Sequence, residues 1–71
     1  MTTATIAAAL NAVDDNDITA RVRGVHLYLR CGRYDVGRLT ADDVADVLAG
    51  GSAPVRKYRS FISQAIREAA E

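Results

Sequence analysis

The stretch Ile18–Cys31 reads ITARVRGVHLYLRC, and it decides the fold because two different periodicities fit it. The first is helical, since four aliphatic residues recur at a spacing that would give a narrow apolar stripe. These residues are Ile18, Val22, Val25 and Leu29. The second is that of a strand, because apolar and polar side chains alternate strictly over Val25–Arg30. A lone strand is unstable and no second alternating run is evident, so we expect a helix over Ile18–Cys31, with a strand as the alternative.

The segments on either side of this stretch favour helices. Thr3–Val13 is rich in alanine and places apolar residues four and three apart, and the acidic run Asp14–Asp17 is expected to end it. Asp17 would then be the N-cap of the helix over Ile18–Cys31. Further along, Thr40 is a good N-cap, and Asp43 at the third helical position completes a partial capping box.

The C-terminal segment has the pattern of an amphipathic helix. Gly50 and Gly51 end the preceding helix, and Pro54 suits the first position of the next one. The expected inward residues of this last helix are Val55, Tyr58, Ile62, Ala65, Ile66 and Ala69. We therefore predict an all-α fold, a compact bundle of about four short helices forming a single domain over residues 1–71. Its last two helices would form a helix-turn-helix over about residues 40–70.

Composition limits the classes of protein that the chain can represent. It has 71 residues, no net charge and one cysteine, Cys31, so no internal disulfide can form and a reducing cytosol suits it. There is no apolar run of about 18 residues and no basic leader, so we expect a cytoplasmic protein without a membrane partner. His26 and Cys31 stand alone, without the spacing of a metal site or a nucleophile beside a base. We therefore predict a non-enzyme with no cofactor and no metal.

Basic residues gather in the C-terminal segment although the whole chain is neutral. Four arginines or lysines and no acid lie between Ser52 and Arg67. On a helix they would lie opposite the apolar stripe, interleaved with small serines. A guanidinium group donates two parallel hydrogen bonds to phosphate or to a guanine edge. The pattern therefore favours a nucleic-acid contact.

The segment LTADDVADVLAGGSAPVRKYRSFI, Leu39–Ile62, resembles the helix-turn-helix of small bacterial and phage transcription regulators. In that family a helix of the type T-x-x-x-V/I-A-x-x-L is followed by a turn with Gly and Ser and then by V-R-x-Y. Thr40 matches the cap of the first helix, and Ala45 matches the small residue where the helices cross. Ser52 matches the turn serine that caps the second helix, and Val55 matches its buried anchor.

This resemblance implies a sequence-specific double-stranded DNA-binding regulator, similar to a repressor or excisionase, with the last helix in the major groove. The family's DNA-facing positions correspond to Arg56, Lys57, Arg59 and Ser60. With the neighbouring side chains of the same helix face and the capping serine, the expected DNA-binding residues are Ser52, Arg56, Lys57, Arg59, Ser60, Ser63 and Arg67.

Two further questions remain open from the residues alone. The arginines between Ile18 and Tyr34, which are Arg21, Arg23, Arg30 and Arg33, could extend the basic surface or pair with the acidic block Asp35–Asp46. The basic helix could also dock on an acidic protein partner, with Tyr58 and Phe61 as anchors, which would make the chain a protein-interaction module. A homodimer is expected in either case, because the helix over Ile18–Cys31 would be apolar on two faces and the core is small.

Overall fold

The computed structural model describes residues 2–13 and 17–71, and it contains a sheet as well as helices. The elements in chain order are α1 (Thr3–Asn11), β1 (Ile18–Arg23), β2 (His26–Cys31), β3 (Tyr34–Leu39), α2 (Ala41–Leu48) and α3 (Arg59–Ala69). The strands form one antiparallel sheet in the order β1-β2-β3. The fold is therefore α+β, and the prediction of an all-α bundle of four helices is wrong. Within the described ranges, every helix is too short or too polar to cross a lipid bilayer.

Two glycine turns explain why Ile18–Cys31 is not a helix. Gly24 and Gly32 have φ values of +62° and +60°, and each is the first residue of a two-residue turn between strands. A glycine at that position is typical of the tight hairpin turns whose twist matches that of paired strands. The strand alternative for Val25–Arg30 is thus correct for β2. The partners that the sequence did not reveal are β1 and β3.

The alternation within each strand sorts its side chains onto two faces. The inner face carries the buried residues Ile18, Ala20, Leu27, Leu29, Val36 and Leu39. The helices add Ile6, Ala7, Leu10, Val44, Val47, Ile62, Ala65 and Ile66 to the core, and the segment before α3 adds Ala53 and Val55. Of the apolar residues that a helix would have spread over two faces, Ile18, Ala20, Leu27 and Leu29 lie in this single core, whereas Val22 and Val25 are exposed. The two-sided helix from which we expected a homodimer therefore does not exist.

Asn11 joins the end of α1 to the edge strand β1. Its Nδ2 donates a hydrogen bond to the carbonyl oxygen of Ala20 at 2.9 Å, and its Oδ1 accepts one from the Ala20 N–H at 2.8 Å. An edge strand presents unpaired backbone groups that invite another chain, and a side chain that pairs both groups of one residue protects that edge. The predicted helix Thr3–Val13 is confirmed as α1. Its predicted stop falls largely on residues 14–16, which lie outside the described residues.

Asp17, the predicted N-cap of the second helix, instead precedes a strand. Its φ is 55°, in the left-handed region, and its carbonyl oxygen accepts a hydrogen bond from the Gly32 N–H at 3.0 Å. The residue therefore belongs to the end of the β1–β2 pairing. The prediction that Asp17 caps a helix is therefore wrong, because Ile18 begins a strand.

The C-terminal half confirms one helix and alters the other. The capping box is present, because the Thr40 hydroxyl accepts from the Asp43 N–H at 3.2 Å while the Asp43 carboxylate accepts from the Thr40 N–H at 2.9 Å. In contrast, α3 begins at Arg59 rather than at Pro54, and residues 49–58 form an irregular connection. A helix-turn-helix needs a turn of about 3–4 residues, so that predicted arrangement is wrong. Tyr58 has a left-handed φ of 58° and lies exposed before α3 instead of facing the core.

Candidate nucleic-acid interface

Ser63, one of the seven predicted DNA-binding residues, is buried with 2% of its surface exposed. Its hydroxyl accepts a hydrogen bond from the Ala53 N–H at 2.7 Å and donates one to the Arg59 carbonyl oxygen at 2.8 Å. The hydroxyl therefore fastens the connection 49–58 to α3, and it is not on the protein surface.

Three of the predicted basic residues also contact the protein itself. The Nε of Arg59 donates to the Val55 carbonyl oxygen at 3.3 Å, and Nη1 of Arg67 donates to the Gly51 carbonyl oxygen at 3.1 Å. Lys57 places its Nζ 5.2 Å from the centre of the Tyr34 ring, within reach of a cation–π attraction.

The remaining three predicted residues, Ser52, Arg56 and Ser60, have exposed side chains. Ser52 and Arg56 lie in the connection, and Ser60 lies in the first turn of α3. The predicted strip is therefore not one continuous helix face. It is divided between the connection and the helix, and several of its side chains hold the two together.

The outer face of the sheet carries a second basic surface, which we call the basic sheet face. Its members are Thr19, Arg21, Arg23, His26, Tyr28, Arg30, Asp35 and Arg38. The strand register arranges most of them in rows across the sheet. Arg21 lies opposite Tyr28, and Tyr28 lies opposite Arg38 on its other side, so a central aromatic ring has a guanidinium on each flanking strand.

Charge on the basic sheet face is strongly one-sided despite the neutral chain. Four guanidinium groups face one carboxylate, Asp35, which gives a local charge of +3 with His26 neutral. Among the residues that the structure describes, the side chains of Arg21, Arg23 and Arg38 have no hydrogen-bond or ion-pair partner. Charge of one sign gathered on one face attracts a polyanion even when the whole protein is neutral.

The face also contains a groove between its side chains. An open groove of about 480 Å³ is lined by residues of all three strands, among them Arg21, Tyr28 and Arg38. Tyr28 is 36% exposed, and its ring centre lies 6.3 Å from that of His26 at an interplanar angle of 55°. The guanidinium groups of Arg21 and Arg38, each with several hydrogen-bond donors, lie on either side of the Tyr28 ring. This is the chemistry that phosphates and base edges require.

Part of this surface was predicted from the sequence. Arg21, Arg23 and Arg30 belong, with Arg33, to the four arginines expected as a possible extension of the basic region, whereas Tyr28 and Arg38 were not predicted as site residues. The alternation of polar residues on each side of Gly24 was the signal that could have placed them together. Of the two open interpretations, pairing with the acidic block holds for Arg30, whose Nε lies 3.1 Å from Asp35 Oδ1.

Comparison with known proteins adds no functional information. No protein-family model, curated protein or solved structure shows significant similarity to the chain. Within residues 2–13 and 17–71, no three His, Cys, Asp or Glu side chains lie close enough to hold a metal ion together.

Proposed function

We propose that the chain is a small double-stranded DNA-binding regulator that contacts DNA through the basic sheet face. The observation that carries this proposal is the cross-strand row Arg21–Tyr28–Arg38 on a face with a local charge of +3. Phosphate contacts from arginine supply most of the affinity for DNA, and contacts to base edges supply the specificity. The face offers both kinds of group. We also propose that the protein is located in the cytoplasm.

The dimensions of the sheet agree with a duplex ligand. Three strands about 4.8 Å apart give a backbone width of roughly 10 Å. The major groove of B-DNA is about 12 Å wide, and strands are known to read DNA from within it. The two edge strands would then lie near the phosphates on either wall, and β2 would lie over the base pairs.

A second candidate function is docking on an acidic protein partner through the start of α3. It is favoured by the exposure of Tyr58 and Phe61, which are 46% and 43% accessible and lie three residues apart beside Arg56 and Lys57. Exposed aromatic and arginine residues are typical anchors of protein interfaces. This surface is separate from the basic sheet face in the residues that form it, so mutations distinguish the two functions. Dimerisation stays a prediction, which sedimentation at tens of micromolar tests.

The decisive experiment is a fluorescence anisotropy titration of a labelled mixed-sequence duplex at salt concentrations from about 50 to 200 mM. If all four arginines of the basic sheet face meet phosphates or displace counterions, the logarithm of affinity should fall with a slope of about −3 to −4. Arg21→Ala and Arg38→Ala should each reduce the magnitude of that slope by about 0.9.

Arg56→Ala is the matched control, because Arg56 is an exposed arginine in the connection 49–58 and not on the sheet. We expect it to leave the slope unchanged. Loss of binding with Arg56→Ala but not with Arg21→Ala would show that DNA contacts the basic residues between Ser52 and Arg67 instead of the sheet. Absence of any salt-sensitive affinity in the wild-type protein would reject DNA binding and leave the acidic protein partner.

A further inference from the structure

We infer that Arg30, held in place by Asp35, is the residue of the basic sheet face that recognises base identity, by contacting guanine in the duplex. This inference rests on the proposed function and assigns different roles to the arginines of one surface. Arg30 would read a base edge, whereas Arg21 and Arg38 would contact phosphates. Asp35 would be a positioning residue.

The position of Arg30 in the sheet differs from that of the other arginines. It lies on the central strand β2, whereas Arg21 lies on β1 and Arg38 on β3, the two edges. A sheet seated in the major groove turns its edges toward the phosphate walls and its central strand toward the base pairs. The cross-strand neighbours of Arg30 are the short residues Thr19 and Asp35, so its long side chain extends beyond them.

A bulge in β3 brings Asp35 beside Arg30. Leu29 pairs with Gly37, but the next residue, Arg30, pairs with Asp35, so Val36 is an extra residue on β3. Without this insertion Arg30 would lie opposite Val36. The bulge sends Val36 into the core and places a carboxylate next to the guanidinium. Bulges often redirect a side chain in this way beside functional sites.

The contact with Asp35 occupies Nε of Arg30 and leaves the terminal N–H groups, which would bind guanine, with one weak contact. Asp35 Oδ1 lies 3.1 Å from Nε, and the terminal Nη2 lies at the longer distance of 3.5 Å from the Arg33 carbonyl oxygen. Arginine contacts the O6 and N7 of guanine through a pair of such N–H groups. Fixing Nε reduces the conformational freedom that the side chain must lose when it binds.

The presence of a carboxylate on this face is otherwise unfavourable for binding DNA. Asp35 is highly exposed, with 84% of its side chain accessible, and its charge repels phosphate. A group that lowers affinity for every sequence but orients Arg30 increases the difference between sequences. Specificity is such a difference of affinities, so the uniform repulsion leaves it unchanged and the orientation of Arg30 increases it.

The test begins with selection of preferred duplexes from a randomised library by the wild-type protein. Affinities are then compared for a selected duplex, the same duplex with one G·C pair changed to A·T, and the same duplex with 7-deazaguanine, which lacks N7. The wild type should discriminate at one guanine by roughly 5- to 150-fold, the range of a bidentate contact. Arg30→Ala should abolish that discrimination, and Arg21→Ala should weaken all three duplexes by the same factor.

Asp35→Ala provides the sharper result, because we expect it to bind the A·T duplex more tightly than the wild type while discriminating less. Equal tightening of all duplexes, with discrimination unchanged, would reduce Asp35 to a repulsive charge and overturn its positioning role. Discrimination that survives Arg30→Ala would overturn the inference while DNA binding stands. A wild type that binds no duplex would reject the proposed function itself. Circular dichroism of each variant, compared with the wild type, excludes loss of fold as the cause.

Discussion

Replacement of Asn11 by alanine should destabilise the protein far more than expected for a polar residue at a helix end. The substitution removes two hydrogen bonds, at 2.9 and 2.8 Å, that pair the N–H and C=O of Ala20 on the edge strand. Each such bond contributes about 0.5–1.5 kcal/mol net, so the expected loss in the free energy of unfolding is about 1–3 kcal/mol. A domain of this size has a total of only about 4–10 kcal/mol.

Urea denaturation followed by far-UV circular dichroism measures this loss. With a slope near 1 kcal/mol per molar urea, the midpoint should fall by about 1–3 M without a change in slope. Asn11→Asp separates the two bonds, because it keeps an acceptor for the Ala20 N–H but places a carboxylate against the Ala20 carbonyl oxygen. It should be destabilised as well.

Gln64→Ala is the control, since the amide of Gln64 bonds the exposed Glu68 within one helix and such pairs contribute about 0.2–0.5 kcal/mol. A loss below about 0.5 kcal/mol in Asn11→Ala would refute the idea that Asn11 holds the helix to the strand.

Two further substitutions test the packing of the connection 49–58. Gly37→Ala should lower stability by roughly 1–3 kcal/mol, because φ is +135° there and the added Cβ would lie 3.1 Å from Cγ1 of Val55; a thermal unfolding midpoint equal to that of the wild type would contradict this. Ser63→Ala should cost about 1–3 kcal/mol, since it leaves the buried Ala53 N–H without its acceptor. Thermal unfolding measures this loss as well, and Ser60→Ala, at an exposed position of the same helix, is the reference. Equal unfolding midpoints for the two variants would contradict a stabilising role of the Ser63 hydroxyl.

Local signals in the sequence predicted α1 and the capping box of α2 correctly. A Thr followed three residues later by an acid fixes a helix start through hydrogen bonds within a few residues, so no tertiary contact is needed to recognise Thr40 and Asp43. The Ala-rich segment before Val13 is similar, because its preference for helix is intrinsic to its residues.

The sheet could not be recognised from the same kind of signal because a helical and a strand period coincide in Ile18–Cys31. The stripe at helical spacing includes Val25, which lies exposed in the two-residue turn after Gly24, so the helical period arises by coincidence from strand and turn residues. A bulge at Val36 then hides the alternation of β3 as well. Recognising Gly24 and Gly32 as equivalent hairpin turns would have resolved the ambiguity.

The start of the last helix was predicted wrongly for a different reason. Pro54 is compatible with a helix start, but the buried contact of Val55 near Gly37 and the hydroxyl of Ser63 hold the chain in an irregular path until Arg59. These contacts are tertiary and no local pattern encodes them. The candidate site depended on the same information, because the row of Arg21, Tyr28 and Arg38 exists only through strand pairing.

The tight hairpins also determine the order in which the molecule can assemble. Pairing across two-residue turns requires little loop closure, and a hairpin forms in about 1–10 μs, much faster than a ribosome adds one residue. The apolar side of the sheet is covered by α1, which packs on β1 and β2, and by α2, which packs on β3, whereas α3 packs on these two helices. At about 5–20 residues per second, roughly 27 residues from Leu39 to Ile66 take about 1–5 s to synthesise. The surfaces of α1 and α2 that pack against α3 therefore stay uncovered for seconds, until α3 has been synthesised.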